Sequence, residues 1–278
     1  MVKLSLVIPT YNRLSNIKEL LNSILGYVGD FEIIIIDGGS TDGTKKYIDE
    51  LAKSNECIKI IHELKREGAV SAFNKGFKKA EGKYVFICND DFVLDMNVLF
   101  NCCLFMEDNP AVGIVSPKMI ESKYNNYPNV DFHSSGLILG KAHVFRMKAL
   151  EDVGFFDNFF KTYYIELDVY LMILNSGWHT CFTKRVGVVH NRSHLNRDGV
   201  KSMDEDLYFY DKWKDLPKKD FRLLPRLLLK CMHFRPLQYF MRKQCGFFVS
   251  FYDYVLNHCS RFVVNINNSK FYLYEKIN

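Results

Sequence analysis

The sequence is poor in several features that would place it quickly. Its eight cysteines form no C-x-x-C pair, and most lie inside apolar segments. That spacing argues against a disulfide framework and for buried thiols in a reducing compartment. No run approaches the roughly 18 apolar residues of a membrane-spanning helix. The longest stretch free of Asp, Glu, Lys and Arg, Val169 to Thr183, is broken by Asn175, Gly177 and His179. Neither charge sign dominates: 37 Lys and Arg against 32 Asp and Glu leave +5, too mild overall to argue for a nucleic-acid partner. G-x-G-x-x-G and G-x-x-x-x-G-K-[ST] are both missing, which removes the dinucleotide fingerprint and the P-loop. There is no internal repeat and no low-complexity tract. The start, Val2 to Ile8, reads as strand and carries no signal-peptide layout. The expectation is a cytoplasmic protein.

What is present is apolar and aromatic. Hydrophobic residues make up 48% of the 278, with 23 Phe and 16 Tyr, enough for a large core without staples. The first two-fifths alternate strand and helix patterns. Leu4 to Ile8 is an apolar run ended by Pro9, and Phe31 to Ile36 is a run of the kind buried on both faces. Ile17, Leu20, Leu21 and Ile24 form a helical stripe. Further strands are expected at 58–61, 84–88, 112–115, 180–183 and 186–189, and helices at 41–51, 69–80, 96–107, 148–153 and 166–176. Residues 116–135 read as a loop with short strands. This order predicts an α/β fold, a mainly parallel twisted sheet with helices on both faces. The catalytic domain is expected over 1–200, divided at 116/117, followed by a mainly helical region over 201–278.

In open α/β sheets ligands bind beyond the carboxyl ends of the strands. Polar clusters stand there four times: Pro9-Thr10-Tyr11-Asn12-Arg13, Asp37 to Thr44, Asn89-Asp90-Asp91, and His190. Asp37, just past a buried strand, can accept from a nucleobase N–H or cap the following helix. Two adjacent carboxylates with an amide fit a Mg²⁺ or Mn²⁺ ion whose shell is completed by a diphosphate and water. They also fit a solvated turn.

Taken together, Val7 to Arg13, Ile36 to Thr44, Asn74-Lys75-Gly76, Ala80 to Tyr84 and Asn89-Asp90-Asp91 resemble the family 2 inverting glycosyltransferases of GT-A type fold. Val153 to Asp157, Glu166-Leu167-Asp168 and Gly177-Trp178 resemble that family's acceptor half. The match runs over about residues 3–195. The resemblance implies a nucleotide-diphospho-sugar donor, with Tyr11 flanking the base, Asp37 accepting from it, and Pro9, Thr10 and Asn12 lining the same pocket. Asp91, with Asn89 or Asp90 beside it, would hold a divalent metal against the diphosphate, and His190 resembles a late metal or diphosphate ligand. Arg66 is a candidate for the donor phosphates or a solvated surface group.

Inversion by direct displacement needs a base opposite the leaving group. The resemblance places Glu166 in the base position, with Asp168 as rival. Two residues apart on a helix point about 200° from each other, so both cannot face one site. Glu166 is preferred. The segment 217–248 interleaves bases with Leu, Phe and Tyr, a pattern that fits either an anionic membrane face or ordinary packed helices. The expectation is transfer of a sugar from a UDP- or dTDP-sugar to a hydroxyl of a glycan or lipid-linked glycan. The alternatives are a non-catalytic glycan- or membrane-binding relative and a nucleotidyltransferase.

Overall fold

In a strand covered on both sides, successive side chains enter different layers. β2 (Phe31–Asp37) does this with isoleucines alone: Ile33 and Ile35 join one hydrophobic cluster, Ile34 and Ile36 the other. β1 (Leu4–Thr10) divides the same way, Leu4, Leu6 and Ile8 against Val7. β4 (Tyr84–Ile87) sends Tyr84 and Phe86 to one side and Val85 and Ile87 to the other. The first layer is filled by α1 (Leu14–Ile24), α2 (Thr44–Lys53) and α4 (Met96–Asp108). The second is filled by α3 (Ala69–Lys79), α5 (Met147–Val153) and α6 (Ile165–Asn175). Helices therefore cover both faces, as expected.

This computed structural model describes residues 3–121, 130–132, 138–140, 142–161, 164–191, 203–213 and 271–273. The remaining strands of the main sheet are β3 (Ile58–His62), β5 (Phe92–Leu94), β6 (Val112–Glu121), β9 (Val144–Arg146), β10 (His179–His190) and β11 (Phe271–Leu273). Their order is β11-β10-β6-β9-β4-β1-β2-β3, with β5 paired to β10 outside this path. Pairing is parallel except at β9, which runs against both β4 and β6, and at β5, which runs against β10. β7 (Val130–Phe132) and β8 (Ile138–Gly140) form a separate two-stranded sheet.

Several details differ from the sequence reading. β1 continues through Pro9 to Thr10. Its register with β4 stops at Val7 opposite Ile87, so a proline at position 9 removes no bond from that ladder. β6 runs on to Glu121, past the point where a loop was expected. The two expected strands near 180 and 186 are one strand, β10, whose pairing with β6 shifts between Phe182 and Val186. β5 and β9 were missed because three residues carry too little periodicity to read. Of the C-terminal region, the described residues form α7 (Met203–Trp213) and β11. The basic stretch 217–248 lies outside the described residues. Among the described residues no helix is long and apolar enough to cross a membrane.

Candidate functional site

The parallel register lines up three strand ends. Thr10 of β1 stands opposite Asp37 of β2, and Asp37 stands opposite His62 of β3. Asp37 is fully buried. Its Oδ1 accepts from the Ser40 amide at 3.1 Å, and its Oδ2 lies 3.2 Å from His62 Nδ1. His62 is held from its other side by Asp49 Oδ1 at 2.8 Å. The carboxylate is tethered at both oxygens, by an Asx-type turn and by the His62 imidazole.

The β1 loop is tied to the β2 loop by Asn12. Asn12 sits at φ 51°, a left-handed conformation that Asn tolerates. Its amide donates to Ser40 Oγ at 2.9 Å, and its Oδ1 accepts from the Thr41 amide at 2.8 Å. Tyr11 is 39% exposed and faces the Arg66 guanidinium, 5.5 Å from ring centroid to Cζ. A side chain at Gly38 would stand 3.5 Å from both Tyr11 Cβ and Arg66 Cγ. Tyr11 and Arg66 therefore close together over Gly38, and cation–π attraction suits a partly exposed pair. Asp42, two residues before α2, accepts from the Thr44 amide at 3.0 Å, while the N-cap itself is Gly43.

The acidic loop is joined to this end of the sheet from two directions. Asp90 is buried and accepts from Thr10 Oγ1 at 3.0 Å. Asp91 reaches the last strand through β5: Phe92 pairs with His190, and the Asn191 amide donates to the Asp91 carbonyl at 2.8 Å. That short strand sets Asp91 Oδ1 3.2 Å from His190 Nε2, with both residues buried. Asn89 is half-buried between Cys88 and this pair of aspartates. Burial and the two neighbouring aspartates push the Cys88 thiol well above its ordinary pKa, so it stays protonated.

Two ligands of one ion at about 2.1 Å, set at a right angle, lie about 3 Å apart. The Asp91–His190 separation fits that edge, and a carboxylate beside an imidazole is a donor set that Mn²⁺ accepts. Among the described residues no group of three or more His, Cys, Asp or Glu is arranged around one point for a metal. Phosphate oxygens and water would complete the shell.

Glu166 is exposed in the first turn of α6. α6 turns at Gly177 into the start of β10, so its N-terminus points toward the carboxyl edge of the sheet. Tyr170, one turn further in, faces His143, the residue immediately before β9. The first turn of α6 also puts Glu166 at the positive end of the helix dipole. Asp168 points inward instead. It is buried and accepts from Lys212 Nζ at 2.9 Å and Trp213 Nε1 at 2.7 Å. Burial raises its pKa against the pull of these donors. Asp168 thus ties α6 to α7.

The family model for Glycosyl transferase family 2 matches residues 5–167. The chain belongs to this family. A Rickettsia bellii uncharacterized glycosyltransferase is 36% identical over 108 residues, covering 38% of this chain and 15% of that protein. The Staphylococcus epidermidis poly-beta-1,6-N-acetyl-D-glucosamine synthase is 28% identical over 173 residues, covering 55% and 42%. The chain thus spans less than half the length of these curated relatives. Among solved structures, S. aureus TarS 1-349 in complex with UDP-GlcNAc has a TM-score of 0.63 at 20% identity, covering 74% of this chain and 64% of that one. The Pyrobaculum calidifontis mannosyltransferase PcManGT in complex with GDP-Man and Mn²⁺ has a TM-score of 0.60 at 18% identity, covering 88% and 85%. The fold is the GT-A type that the sequence motifs resemble.

Three contacts in this family 2 chain escaped the sequence reading, although Asn74 itself stood among the residues that carry the resemblance. His62 holds Asp37, and its signal is only that it ends β3 as Asp37 ends β2. Asn74 binds the Phe156 carbonyl through Nδ2 at 2.8 Å and the Phe156 amide through Oδ1 at 3.0 Å. It thereby clamps α3 to the segment that leads to α6. The third is the grip of α7 on that same segment.

Proposed function

We propose that this chain is a metal-assisted inverting glycosyltransferase. It moves a sugar from a UDP- or dTDP-sugar to a hydroxyl of a glycan or lipid-linked glycan. The observation that carries the reading is the continuous row of Asp37, Thr10, Asp90, Asp91 and His190 along one carboxyl edge; Glu166, exposed in the first turn of α6, is read as facing it. That TarS has a UDP-GlcNAc complex and PcManGT a GDP-Man and Mn²⁺ complex supports it.

In this reading Tyr11 and Arg66 part to admit the nucleoside, and the ring N–H of the base meets Asp37, whose remaining lone pairs can accept it. Pro9, Thr10 and Asn12 line the nucleoside pocket, and Asn89 and Asp90 line the side toward the diphosphate. Asp91 and His190 hold a divalent cation that, when bound, offsets the charge growing on the departing diphosphate. Glu166 takes the proton of the attacking acceptor hydroxyl on the opposite face. The basic 217–248 stretch would rest on an anionic membrane surface next to a lipid-linked acceptor, keeping the protein peripheral at the cytoplasmic face.

A transfer assay with a panel of labelled nucleotide-sugars and Mn²⁺ tests the reading. Glu166→Gln should lower kcat by about 10²-fold or more, the scale of general base catalysis, while donor binding persists. Transfer by that variant at the parental rate would remove Glu166 from the role. A parent that turns over no nucleotide-sugar would favour the non-catalytic alternative.

A further inference from the structure

The segment from Asp157 to Asp168 leads into α6, whose first turn carries Glu166. It is short and aromatic, and it ends in a strained residue: Tyr164, the N-cap of α6, sits at φ 63°. A bulky side chain in the left-handed region is strained and persists only where its surroundings over-determine it.

Those surroundings come from α7, beyond the part that matches the family model. Glu205 Oε1 accepts from the Lys161 amide at 3.0 Å. The Tyr208 ring stacks on Phe159 with centroids 3.9 Å apart, and its hydroxyl donates to Asp157 Oδ2 at 2.9 Å. The Phe209 ring stacks on the strained Tyr164, 4.4 Å between centroids and 15° from parallel. Lys212 bridges both ends of the segment, donating to Asp157 Oδ2 at 2.8 Å and to Asp168 Oδ2 at 2.9 Å. Trp213 Nε1 takes the second oxygen of Asp168. Five points of one eleven-residue helix thus meet five points of the segment that leads into α6.

We propose that α7 is a positioning element for the base and that Lys212 is its central positioning residue. By joining Asp157 to Asp168 it fixes the entry to α6 and the direction in which Glu166 projects, and it touches neither donor nor acceptor. The inference deepens the proposed function and rests on the assignment of Glu166. It also makes the C-terminal region part of the catalytic unit rather than an appendage. The physical reason is that catalysis by a positioned base is sensitive to displacements of an ångström, while the contacts that hold Asp37 and Asp91, from Ser40, His62 and His190, come from outside α7.

The test compares Lys212→Met, Lys212→Arg and Tyr208→Phe in the full chain. UDP binding with Mn²⁺ is read by calorimetry, transfer by kcat and donor KM, and ordering of the segment by hydrogen exchange. Lys212→Met should lower kcat about 10- to 100-fold, the range expected for a misplaced base. Donor KM and UDP affinity should stay within about twofold, a split that mere destabilisation would not produce. Lys212→Arg should restore most of kcat, because it preserves a cation able to span both carboxylates. Hydrogen exchange of the backbone amides over 157–168 should accelerate in Lys212→Met and not in Lys212→Arg. Where Lys212→Met does not fold, Tyr208→Phe, which deletes one hydroxyl contact, should show a smaller loss of kcat in the same pattern. Unchanged exchange over 157–168, or a fall in UDP affinity equal to the fall in kcat, overturns the proposal. A parent that binds UDP and has no transferase activity overturns the assignment of Glu166 and this inference with it. A parent that Glu166→Gln disables while Lys212→Met leaves it unimpaired overturns the inference alone.

Discussion

His143 gives the protein a predictable weakness to acid. It sits just ahead of β9, only 1% exposed. Its Nδ1 pairs with Ser116 Oγ at 3.0 Å, and its ring faces Phe145 and Tyr170. Nε2 has no hydrogen-bond partner among the described residues. Burial without compensation disfavours the charged form, and it pushes the imidazole pKa down to about 3. In the unfolded chain the same group titrates near 6.5. Between these values the unfolded chain binds a proton that the folded chain does not. Stability from this group is therefore complete above about pH 6.5 and is lost as pH falls toward 3. The loss reaches about 2 kcal/mol at pH 5 and approaches about 5 kcal/mol below pH 3. His143→Leu removes the titration and leaves the other acid-sensitive groups in place. At pH 7.5 the variant should be destabilised by about 1 kcal/mol, through the unpaired Ser116 hydroxyl. Urea unfolding at pH 7.5 and pH 5.0 should show the parent losing about 2 kcal/mol more than the variant between the two conditions. Equal losses, with equal denaturant slopes, would refute the reasoning.

Two further outcomes follow from the geometry. In thermal shift with UDP and Mn²⁺, Asp91→Asn should lose the metal-dependent part of the stabilisation, which for the parent is about 2.7 kcal/mol at a hundredfold excess over Kd; a variant that keeps its full metal-dependent shift would take Asp91 out of the site. Gly76 lies in α3 where an added Cβ would collide with Val7 Cγ1 and come within 3.0 Å of Ile36 Cδ1. Gly76→Ala should therefore destabilise by about 1–3 kcal/mol, the range for overpacking a core, and an unchanged urea midpoint would show that α3 can lift from the sheet freely.

The alternation of strand and helix, the two layers and the polar strand ends were all legible in the sequence. Each depends on periods of two or 3.6 residues or on the chemistry of residues next to one another. Ile33 to Ile36 could be read as a strand buried on both faces because the run itself demands two apolar layers. Asp37 and Asp91 could be named because carboxylates at the ends of buried strands are costly unless they meet a partner. That Asp168 turns inward was half legible. Helical geometry says that only one can face the site, and the contacts of Asp168 with Lys212 and Trp213 turn that residue inward. The partners themselves came only from tertiary structure. Asp91 and His190 stand 99 positions apart in the chain, and the three-residue β5 that unites them is too short to leave a periodic trace. Asn74 reaches across to Phe156, and α7 reaches back to Asp157 and Asp168, by contacts that no local pattern encodes. Local sequence determines which elements form and which face each one buries. The pairing of distant strands and helices decides which side chains share a site, because it depends on the packing of the whole chain at once.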